Sequence, residues 1–427
     1  MTYSVLLDTI TAGGLDAALA PLYGPAIDAR RARLADAVRA FGAQYGTEGE
    51  LMILSVPGRS ELSGNHTDHN HGCVIAASID LDIIAVAAKT DDGIIRVKSE
   101  GFDEDVVDLA AYTEPDEAKF FTSASLIAGM ADCFRKNGKQ VGGFDAYTTS
   151  NVFKGSGLSS SAAFEVMIGS IYSHLFNGGE VDRVEIAKWA QVDENRFFGK
   201  PCGLMDQVAC AHGGIVAIDF ADPAKPIITP VDFDLSAAGY TLCIVNTGGN
   251  HADLNADYAS VPAEMKAVAA ELGVPVLRQA DEEKFIAAIP ALRGKLGDRA
   301  ILRALHFFAE NKRVAAQTEA LLSGKLEGFL GGVLASGRSS FCYLQNVYTT
   351  INVAEQGLSL ALAVTERALA DVEGAAWRVH GGGFAGTIQA FVPVAASADY
   401  ARAMDAIFGE GACHILHVRG VGATRIA

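Results

Sequence analysis

Hydrophobic residues recur at helical spacing in some parts of the chain and in short β-rich runs in others. Residues 29–44 carry apolar side chains at helical spacing and end near a glycine, which predicts an amphipathic helix. Three runs rich in Ile and Val, at 51–58, 72–90 and 93–99, are punctuated by Gly and Asp. These runs predict strands, so the chain begins with a helix followed by a β-rich region.

The pattern alternates again further along the chain. Residues 120–138 predict a helix that begins at a Ser/Thr cap and stops at Gly138. Residues 144–152 predict a strand that leads into a glycine- and serine-rich loop and a long helical pattern over 154–176. Another strand is predicted at 215–220.

The second half of the chain mixes both kinds of element, with no repeat of fixed period. The predicted helices cover 257–272, 281–289, 300–322 and 353–371, and the predicted strands cover 240–247, 377–381 and 387–393. A chain of 427 residues exceeds the roughly 250–300 at which single cores stop growing, so two domains are expected. The Pro-rich connector at 223–230 places their boundary, giving domains of 1–220 and 221–427.

Composition and charge narrow the function classes. Half of the residues are hydrophobic and the net charge is −17, with no Lys/Arg cluster of the kind that follows a phosphate backbone, so nucleic acid is not an expected partner. The N-terminus has no basic segment, and no apolar run approaches the ~20 residues that span a bilayer, so no membrane association is expected. We expect a cytoplasmic protein that is a monomer or a weak homodimer.

The cysteines are scattered, odd in number and lack any CxxC pair, which favours reduced, buried thiols over a disulfide or zinc framework. They are Cys73, Cys133, Cys202, Cys210, Cys243, Cys342 and Cys413.

The sharpest chemical signal is the segment GSGLSSSAA at 155–163, directly before the predicted helix. Glycines let a backbone approach a ligand, successive N–H groups and a helix N-terminus attract an anion, and serine hydroxyls reach phosphate or metal. The pattern therefore predicts a phosphate-binding loop, although a flexible serine-rich turn has the same composition. It differs from a Walker A loop, because Lys154 precedes the glycines.

Two other segments are candidates for the same site. The glycine cluster GGGFAG at 381–386 fits either a tight turn or a backbone wall beside a triphosphate. Glu194 stands twelve positions before Asp206, which is flanked by Met205 and Gln207 and fits either a poorly solvated acid near a reacting hydroxyl or a helix N-cap.

The stretch GRSELSGNHTDHNHG at 58–72 gathers an arginine, three histidines, an aspartate, a glutamate and two asparagines in an otherwise apolar chain. So many hydrogen-bonding groups in one short stretch make it a candidate binding segment.

The order and spacing of these segments resemble the GHMP small-molecule kinases, and within them the galactokinases. Galactokinases carry G-R-x-N-L-I-G-E-H-T-D-Y-N-x-G, then G-x-G-L-S-S-S-A, then G-x-M-D-Q, and finally G-G-G-F-G-G. This chain has PGRSELSGNHTDHNHG, GSGLSSSAA, GLMDQ and GGGFAG in that order, spanning about residues 50–390. The resemblance implies a two-domain α+β fold with the active site in the inter-domain cleft.

The resemblance also implies roles for individual residues. Asp206 would be the base for the C1 hydroxyl of the sugar, Arg59 would stabilise charge at the transfer site, and Ser161 and Glu194 would hold Mg²⁺. The ATP phosphates would lie on the loop formed by Gly155, Ser156, Gly157, Leu158, Ser159, Ser160 and Ser161. The sugar would be bound by Asn65, His66, Thr67, Asp68 and Tyr258.

The chain departs from the motif at several positions. The motif glutamate is Asn65, its tyrosine is His69, and N-L-I is replaced by Glu61, Leu62 and Ser63. Since the motif glutamate helps to read the C6 hydroxyl in galactokinases, Asn65 opens the question of which sugar is bound. Ala385 replaces a glycine of the last motif, and Phe153-Lys154 stand where a proline is common.

The expected activity is that of an ATP-dependent galactose 1-kinase using Mg²⁺. A galacturonic acid 1-kinase is the first alternative, because an uncharged amide at Asn65 can donate to a carboxylate and plant galacturonate kinases are similar here, with G-A-H-I-D-H against GNHTDH. A second alternative is a non-catalytic galactose sensor, although known sensors lack part of the S-S-S-A element that is intact at Ser159–Ala162. A purely structural protein would require all four motifs to be coincidental.

Overall fold

The computed structural model describes residues 1–24, 27–152, 157–200, 202–249 and 254–427. The helices are α1 (Tyr3–Thr11), α2 (Asp16–Tyr23), α3 (Ile27–Tyr45), α4 (Ser123–Lys136), α5 (Ser160–Phe176), α6 (Arg183–Asp193), α7 (Met205–His212), α8 (Asn255–Glu271), α9 (Glu282–Leu296), α10 (Asp298–Leu322), α11 (Leu326–Ser339), α12 (Gly357–Ala368) and α13 (Val394–Phe408). The strands are β1 (Met52–Ser63), β2 (Cys73–Lys89), β3 (Ile94–Ser99), β4 (Glu104–Asp108), β5 (Phe144–Ser150), β6 (Ile215–Asp219), β7 (Ile227–Val231), β8 (Tyr240–Asn246), β9 (Ala376–Val379), β10 (Thr387–Pro393), β11 (Cys413–Leu416) and β12 (Thr424–Arg425). Single π-helical turns extend α6 over Glu194–Phe198 and α11 over Ser340–Leu344.

The larger sheet has eight strands built around the long strand β2. Its main path runs β12-β1-β2-β5-β3-β4, and β6 pairs with the first part of β2 while β7 pairs with β6. All neighbours are antiparallel except β3 and β5. The second sheet has four antiparallel strands in the order β11-β8-β10-β9.

The hydrophobic core is continuous between the two sheets. Its main cluster combines β1, β2 and the helices α4 to α7 with Leu242 and Ile244 of β8 and Phe329 of α11. The N-terminal helices cover the other face of the larger sheet through a cluster that includes Leu19, Leu34 and Ile84. A buried apolar side chain contributes about 1.5–3 kcal/mol, so the main cluster holds the two sheets firmly against each other.

The structure agrees with most of the predicted elements and adds others. The first predicted helix is α3, and α4 begins after Thr122, whose side chain accepts a hydrogen bond from the Ser125 amide as the predicted cap. The connector predicted at 223–230 was wrong in part, because Ile227–Val231 form β7. Pro230 is accommodated there because β7 is an edge strand, where a missing N–H leaves no ladder hydrogen bond unmade.

The change from one sheet to the other falls between β7 and β8, at 231–240, whereas the sequence placed the domain boundary at 220/221. The chain also returns to the larger sheet at its end, where Thr424 and Arg425 pair with β1. The second half therefore contributes a strand to the first sheet, which the division into 1–220 and 221–427 did not foresee.

All seven cysteines are free thiols in the structure. Four of them are buried, as expected, but Cys342 is exposed and Cys73 and Cys202 are half-buried. Within the described residues no single helix is long and apolar enough to cross a bilayer, although the bent pair α1–α2 matches by length and composition.

Candidate active site

A buried arginine and a partly buried aspartate form the centre of the site. Asp206 is the second residue of α7, and its Oδ1 accepts a hydrogen bond from Nε of Arg59 on β1 at 2.7 Å and lies 2.7 Å from Nη2 of the same guanidinium. The hydroxyl of Ser159 donates to Oδ2 of Asp206, and Nη1 of Arg59 donates to the Gly157 carbonyl. Burial alone would raise the pKa of Asp206, but the charge and hydrogen bonds of Arg59 outweigh it and hold the pKa below its ordinary value.

The local backbone explains how β1 delivers Arg59 to this position. The register of β1 against β2 shifts between Pro57 and Arg59, a bulge that redirects the strand. The Arg59 amide donates to the Leu158 carbonyl at 3.1 Å, and a Cβ atom added at Gly58 would lie 2.8 Å from that same oxygen. Only a glycine therefore lets β1 pack directly against the loop that precedes α5.

The predicted phosphate loop lies at the N-terminus of α5. Gly155 and Ser156 fall outside the described residues, so the loop is seen from Gly157 onward. Ser159 has a left-handed φ of 59° at the N-cap, and Ser160 and Ser161 open the 17-residue helix. The unpaired N–H groups of a first turn attract anions, so the backbone has the form that binding a phosphate requires.

The two predicted metal ligands come together beside this helix end. Ser161 Oγ lies 3.5 Å from Glu194 Oε1, and Glu194 also accepts from Lys200 Nζ at 3.0 Å and from Gln207 Nε2 at 2.9 Å. In the described parts of the chain no group of three or more His, Cys, Asp or Glu side chains could hold a metal. One hydroxyl and one carboxylate nevertheless fit Mg²⁺, which usually takes few protein ligands and completes its shell with phosphate oxygens and water.

A cavity of about 190 Å³ opens beside Arg59 and Asp206. Its wall is strongly polar and combines carboxylates, cations and two imidazoles. It is lined by Arg59, Glu61, His66, Asp68, His69, Lys200, Cys202, Gly203, Met205, Asp206, Gly381 and Gly382. Gly381 and Gly382 of the last glycine cluster contribute to this wall, whereas the wall beside a triphosphate that the sequence suggested for this cluster stays a prediction.

Two of the predicted sugar-binding residues, His66 and Asp68, line this cavity. His66 Nε2 lies 2.7 Å from the Gly382 carbonyl, and burial lowers the pKa of His66 to about 4. Because a carbonyl only accepts, the neutral ring carries its proton on Nε2 and presents Nδ1 as an acceptor. Asp68 Oδ1 accepts from the His69 amide at 3.0 Å, and a Cβ atom at Gly203 would lie 2.3 Å from Asp68 Oδ2.

The other three predicted sugar-binding residues, Asn65, Thr67 and Tyr258, lie behind the wall. The Asn65 amide is wholly engaged by protein groups. Thr67 Oγ1 donates to the Cys73 carbonyl at 2.6 Å, which ties the turn to β2. Tyr258 donates its hydroxyl to the Gly383 carbonyl at 2.7 Å and backs the glycine wall, since a Cβ atom at Gly382 would lie 2.2 Å from its ring.

The sequence did not assign two charged residues of the cavity, Glu61 and Lys200. Lys200 lies between Glu194 and Asp206 in the sequence. Its position between two predicted site acids could have predicted that it belongs to the site. Glu61 stands where the galactokinase motif has an asparagine, and this exchange was noted without a role being given to it.

A second cavity, of about 620 Å³, adjoins Ser160 and Ser161. Four phenylalanines contribute to its wall, Phe102, Phe121, Phe164 and Phe198. Phe121 is strongly exposed and adopts a left-handed φ of 64°, and its ring packs edge-on against Phe198. A flat apolar wall next to a phosphate-binding helix end is suited to an aromatic ring system.

Comparison with known proteins agrees with this geometry. Residues 125–214 match the GHMP kinases N-terminal domain, and residues 39–89 match the galactokinase galactose-binding signature. The chain is 32% identical over 374 residues to a galactokinase of Streptomyces coelicolor, a match that covers 86% of this chain and 91% of that protein. A galactokinase of Actinobacillus pleuropneumoniae is also 32% identical, over 362 residues, covering 84% of this chain and 89% of its own length.

The chain belongs to the galactokinase family. It is accordingly a phosphotransferase that acts on a sugar hydroxyl with ATP as the donor.

Solved structures show the same fold. The structure of the Lactococcus lactis galactokinase complexed with galactose has a TM-score of 0.76 at 24% identity, covering 92% of this chain and 99% of that one. The mevalonate kinase of Methanococcus jannaschii has a TM-score of 0.62 at 15% identity, covering 87% of this chain and 99% of that one. The two-domain α+β GHMP kinase fold expected from the motifs is thereby confirmed.

Proposed function

We propose that the protein transfers the γ-phosphoryl group of ATP to the C1 hydroxyl of galactose, giving galactose 1-phosphate and ADP. The observation that carries this proposal is the Arg59–Asp206 pair, which lies in the wall of a polar cavity and is tied through Ser159 to the N-terminus of α5. Family membership supplies the reaction class, and the pair supplies an acceptor for the hydroxyl proton beside a fixed positive charge.

Asp206 is proposed to accept the proton of the attacking hydroxyl. With its pKa held below the ordinary value by Arg59, it is ionised at neutral pH and remains a weak base. A weak base suits a loose phosphoryl-transfer transition state, in which the proton leaves late and most catalysis comes from positioning and charge neutralisation. Arg59 and Lys200 place two cations close to the transferred group.

The phosphates of ATP are proposed to lie on the loop from Gly155 to Ser161. The left-handed Ser159 and the first turn of α5 support this placement. Mg²⁺ would be held by Ser161 and Glu194 and would neutralise charge on the phosphates. The cavity walled by Phe102, Phe121 and Phe198 would receive the adenine base.

The sugar is proposed to occupy the 190 Å³ cavity. His66 Nδ1 and the Asp68 carboxylate offer acceptors for its hydroxyls, while Asn65, Thr67 and Tyr258 hold the wall in place from behind. We further propose that the enzyme works in the cytoplasm, where ATP is available, as a monomer or weak homodimer.

Galacturonic acid is the second candidate substrate, favoured by the loss of the motif glutamate at Asn65. A non-catalytic sensor is less well supported, because the acid, the arginine and the serine loop are all assembled.

A coupled ADP-release assay over free sugars tests the proposal. Galactose, galacturonic acid, arabinose, N-acetylgalactosamine and glucose are compared at equal concentration with excess Mg²⁺ and ATP. Galactose is expected to give the highest kcat/KM. Sugar binding without ADP release from any member would instead identify a sensor.

A further inference from the structure

The side chain of Asn65 has no group left for a ligand. Its Oδ1 accepts from Ser340 Oγ at 3.1 Å and from Asn346 Nδ2 at 2.8 Å. Its Nδ2 donates to Glu61 Oε1 at 3.2 Å and to the Gly381 carbonyl at 2.6 Å. A carboxamide has two donors and two acceptor lone pairs, so these four contacts saturate it. Asn65 therefore holds the wall of the cavity and cannot read the sugar without breaking it.

The carboxylate of Glu61 has the opposite property. It is buried, and its Oε1 accepts from Arg378 Nη2 at 2.6 Å as well as from Asn65. Its Oε2 has no hydrogen-bond partner among the residues that the structure describes, and Glu61 lines the sugar cavity. Oε2 is not among the fully enclosed unpaired atoms, so it is open to the cavity, where a ligand hydroxyl can donate to it.

We propose, resting on the sugar kinase function above, that Glu61 is the carboxylate that reads a ring or C6 hydroxyl of a neutral hexose. The galactokinase motif has asparagine at position 61 and glutamate at position 65, and this chain has the two residue types exchanged. The pocket therefore keeps a carboxylate, but it comes from position 61 and not from position 65. The amide at position 65 holds the wall together.

This placement determines the class of sugar that the cavity accepts. Three carboxylates lie on its wall, those of Glu61, Asp68 and Asp206. Its two cations of fixed charge are already paired, Arg59 with Asp206 and Lys200 with Glu194. A uronic acid would therefore bring a further negative charge against Glu61 with no free arginine or lysine of this wall to receive it.

Burial raises the pKa of Glu61 above its ordinary value, while the charges of Arg378 and Arg59 oppose that rise. An alkaline pH favours the ionised form of such a carboxyl, so pH 8 suits a measurement of its role.

The test compares wild type with Glu61→Gln at pH 8, on galactose, its four monodeoxy analogues at C2, C3, C4 and C6, and galacturonic acid. Glu61→Gln keeps the shape and one acceptor oxygen for Arg378 but removes the charge. We expect kcat/KM for galactose to fall about 10- to 100-fold, mainly through KM, because a charge-assisted hydrogen bond is lost. For one deoxy analogue, which lacks the hydroxyl that donates to Glu61, the substitution should lower kcat/KM far less than it does for galactose. The ratio of kcat/KM for galacturonate to that for galactose should rise.

The control is Glu283→Gln, at an exposed position on α9, which should change nothing. An unchanged galactose KM, or an equal loss on all four deoxy analogues, would overturn the proposal, since a purely structural role would affect every sugar alike. If Glu61→Gln does not fold, Glu61→Asp keeps the charge for Arg378 while withdrawing the oxygen from the cavity. The KM of Glu61→Asp for galactose should rise, and the variant should still discriminate against galacturonate. An unchanged KM for galactose would again overturn the proposal.

The proposed function and the role of Glu61 have different readouts. The proposed function is wrong if wild type releases no ADP with galactose. The role of Glu61 can still be tested in that case, by measuring the galactose affinity of the same variants by calorimetry. Asn65→Glu provides a last contrast: with Glu61 beside it, the new carboxylate should weaken galactose binding, whereas a gain in galactose kcat/KM would contradict the exchange of roles.

Discussion

At the residue scale, the carboxylate of Asp206 is fixed from both sides. Arg59 holds one of its oxygens, and Ser159 holds the other. Asp206→Asn keeps the shape but removes the proton acceptor, and general-base assistance contributes about 10²–10⁴-fold. We expect kcat to fall by that order while the galactose Kd, measured by calorimetry, changes little. A folded variant with near-wild-type kcat would exclude Asp206 as the base.

Glu194 provides a second residue-scale prediction. If Glu194 and Ser161 hold Mg²⁺ against the phosphates, Glu194→Gln should raise the Mg²⁺ concentration for half-maximal rate, because a neutral amide is a poorer ligand for a hard cation. The measurement is a Mg²⁺ titration at fixed ATP, with the exposed Glu283→Gln as the control. The same Mg²⁺ dependence in wild type and variant would remove Glu194 from the metal site.

The sequence predicted individual site residues only where the family motif names them. Arg59, His66, Asp68 and Asp206 were found in this way, and all four line the cavity. The motif also named Thr67, but the hydroxyl of Thr67 donates to the Cys73 carbonyl and not to the cavity. A sequence motif shows which residues recur but not which groups they contact.

Glu61 and Lys200 were not assigned, and the reason is physical. Whether a side chain faces a ligand or a neighbouring element depends on tertiary contacts. Asn65 lies behind the wall only because Ser340 and Asn346, some 280 positions along the chain, surround it.

At the scale of elements, the approach of β1 to the loop before α5 sets the position of Arg59. Gly58→Ala would place a methyl group 2.8 Å from the Leu158 carbonyl, so the strand and the loop must separate. We expect a raised KM for ATP and a lowered kcat, both from steady-state kinetics. Gly294→Ala is the matched control, since nothing lies within 4 Å of that position on α9. Equal kinetics in the two variants would show that this contact does not position the site.

The elements themselves followed from hydrophobic periodicity where the pattern was long, as in α3, β2 and α10. Three features were not predicted: the extension of β1 through the polar residues up to Ser63, the edge strand β7 and the short strand β12. Each depends on a partner strand and not on its own pattern, because a short or polar strand is stabilised by the neighbour with which it pairs.

At the scale of the whole molecule, Asp82 connects the N-terminal helices to the end of the chain. It is fully buried on β2 and pairs with Arg33 of α3 at 2.5 Å and with Arg419 at 3.3 Å. Tyr23 and Ser55 also donate to it. The sequence pattern gave no sign of this network, since its members are spread from α2 to the approach to β12.

Asp82→Asn leaves the buried Arg419 and the partly buried Arg33 without their countercharge, so we expect the free energy of unfolding in urea to fall by about 3–5 kcal/mol. Arg33 and Arg419 overcome burial and lower the pKa of Asp82, so its contribution is present at neutral pH and is lost as the pH falls through that lowered pKa. Asp16→Asn, which breaks the partly exposed pair with Arg31, is the control and should lower the free energy of unfolding far less, because solvent screens this pair. Equal losses in the two variants would contradict the role of Asp82.

The fold class was predictable from four ordered motifs, but the return of the chain to the larger sheet at β12 was not. Such a pairing joins residues more than 360 positions apart and leaves no local pattern. The division of the chain at 220/221 remains a prediction, because the hydrophobic core continues between both sheets.

The most direct test of the account is phosphorus NMR of the product formed from galactose, ATP and Mg²⁺. The account predicts one new monoester signal, split by the anomeric proton because the phosphate is on C1, and no such signal with the Asp206→Asn variant over the same time. A product phosphorylated at another position, or ADP release with galactose that is equal in wild type and Asp206→Asn, would contradict it.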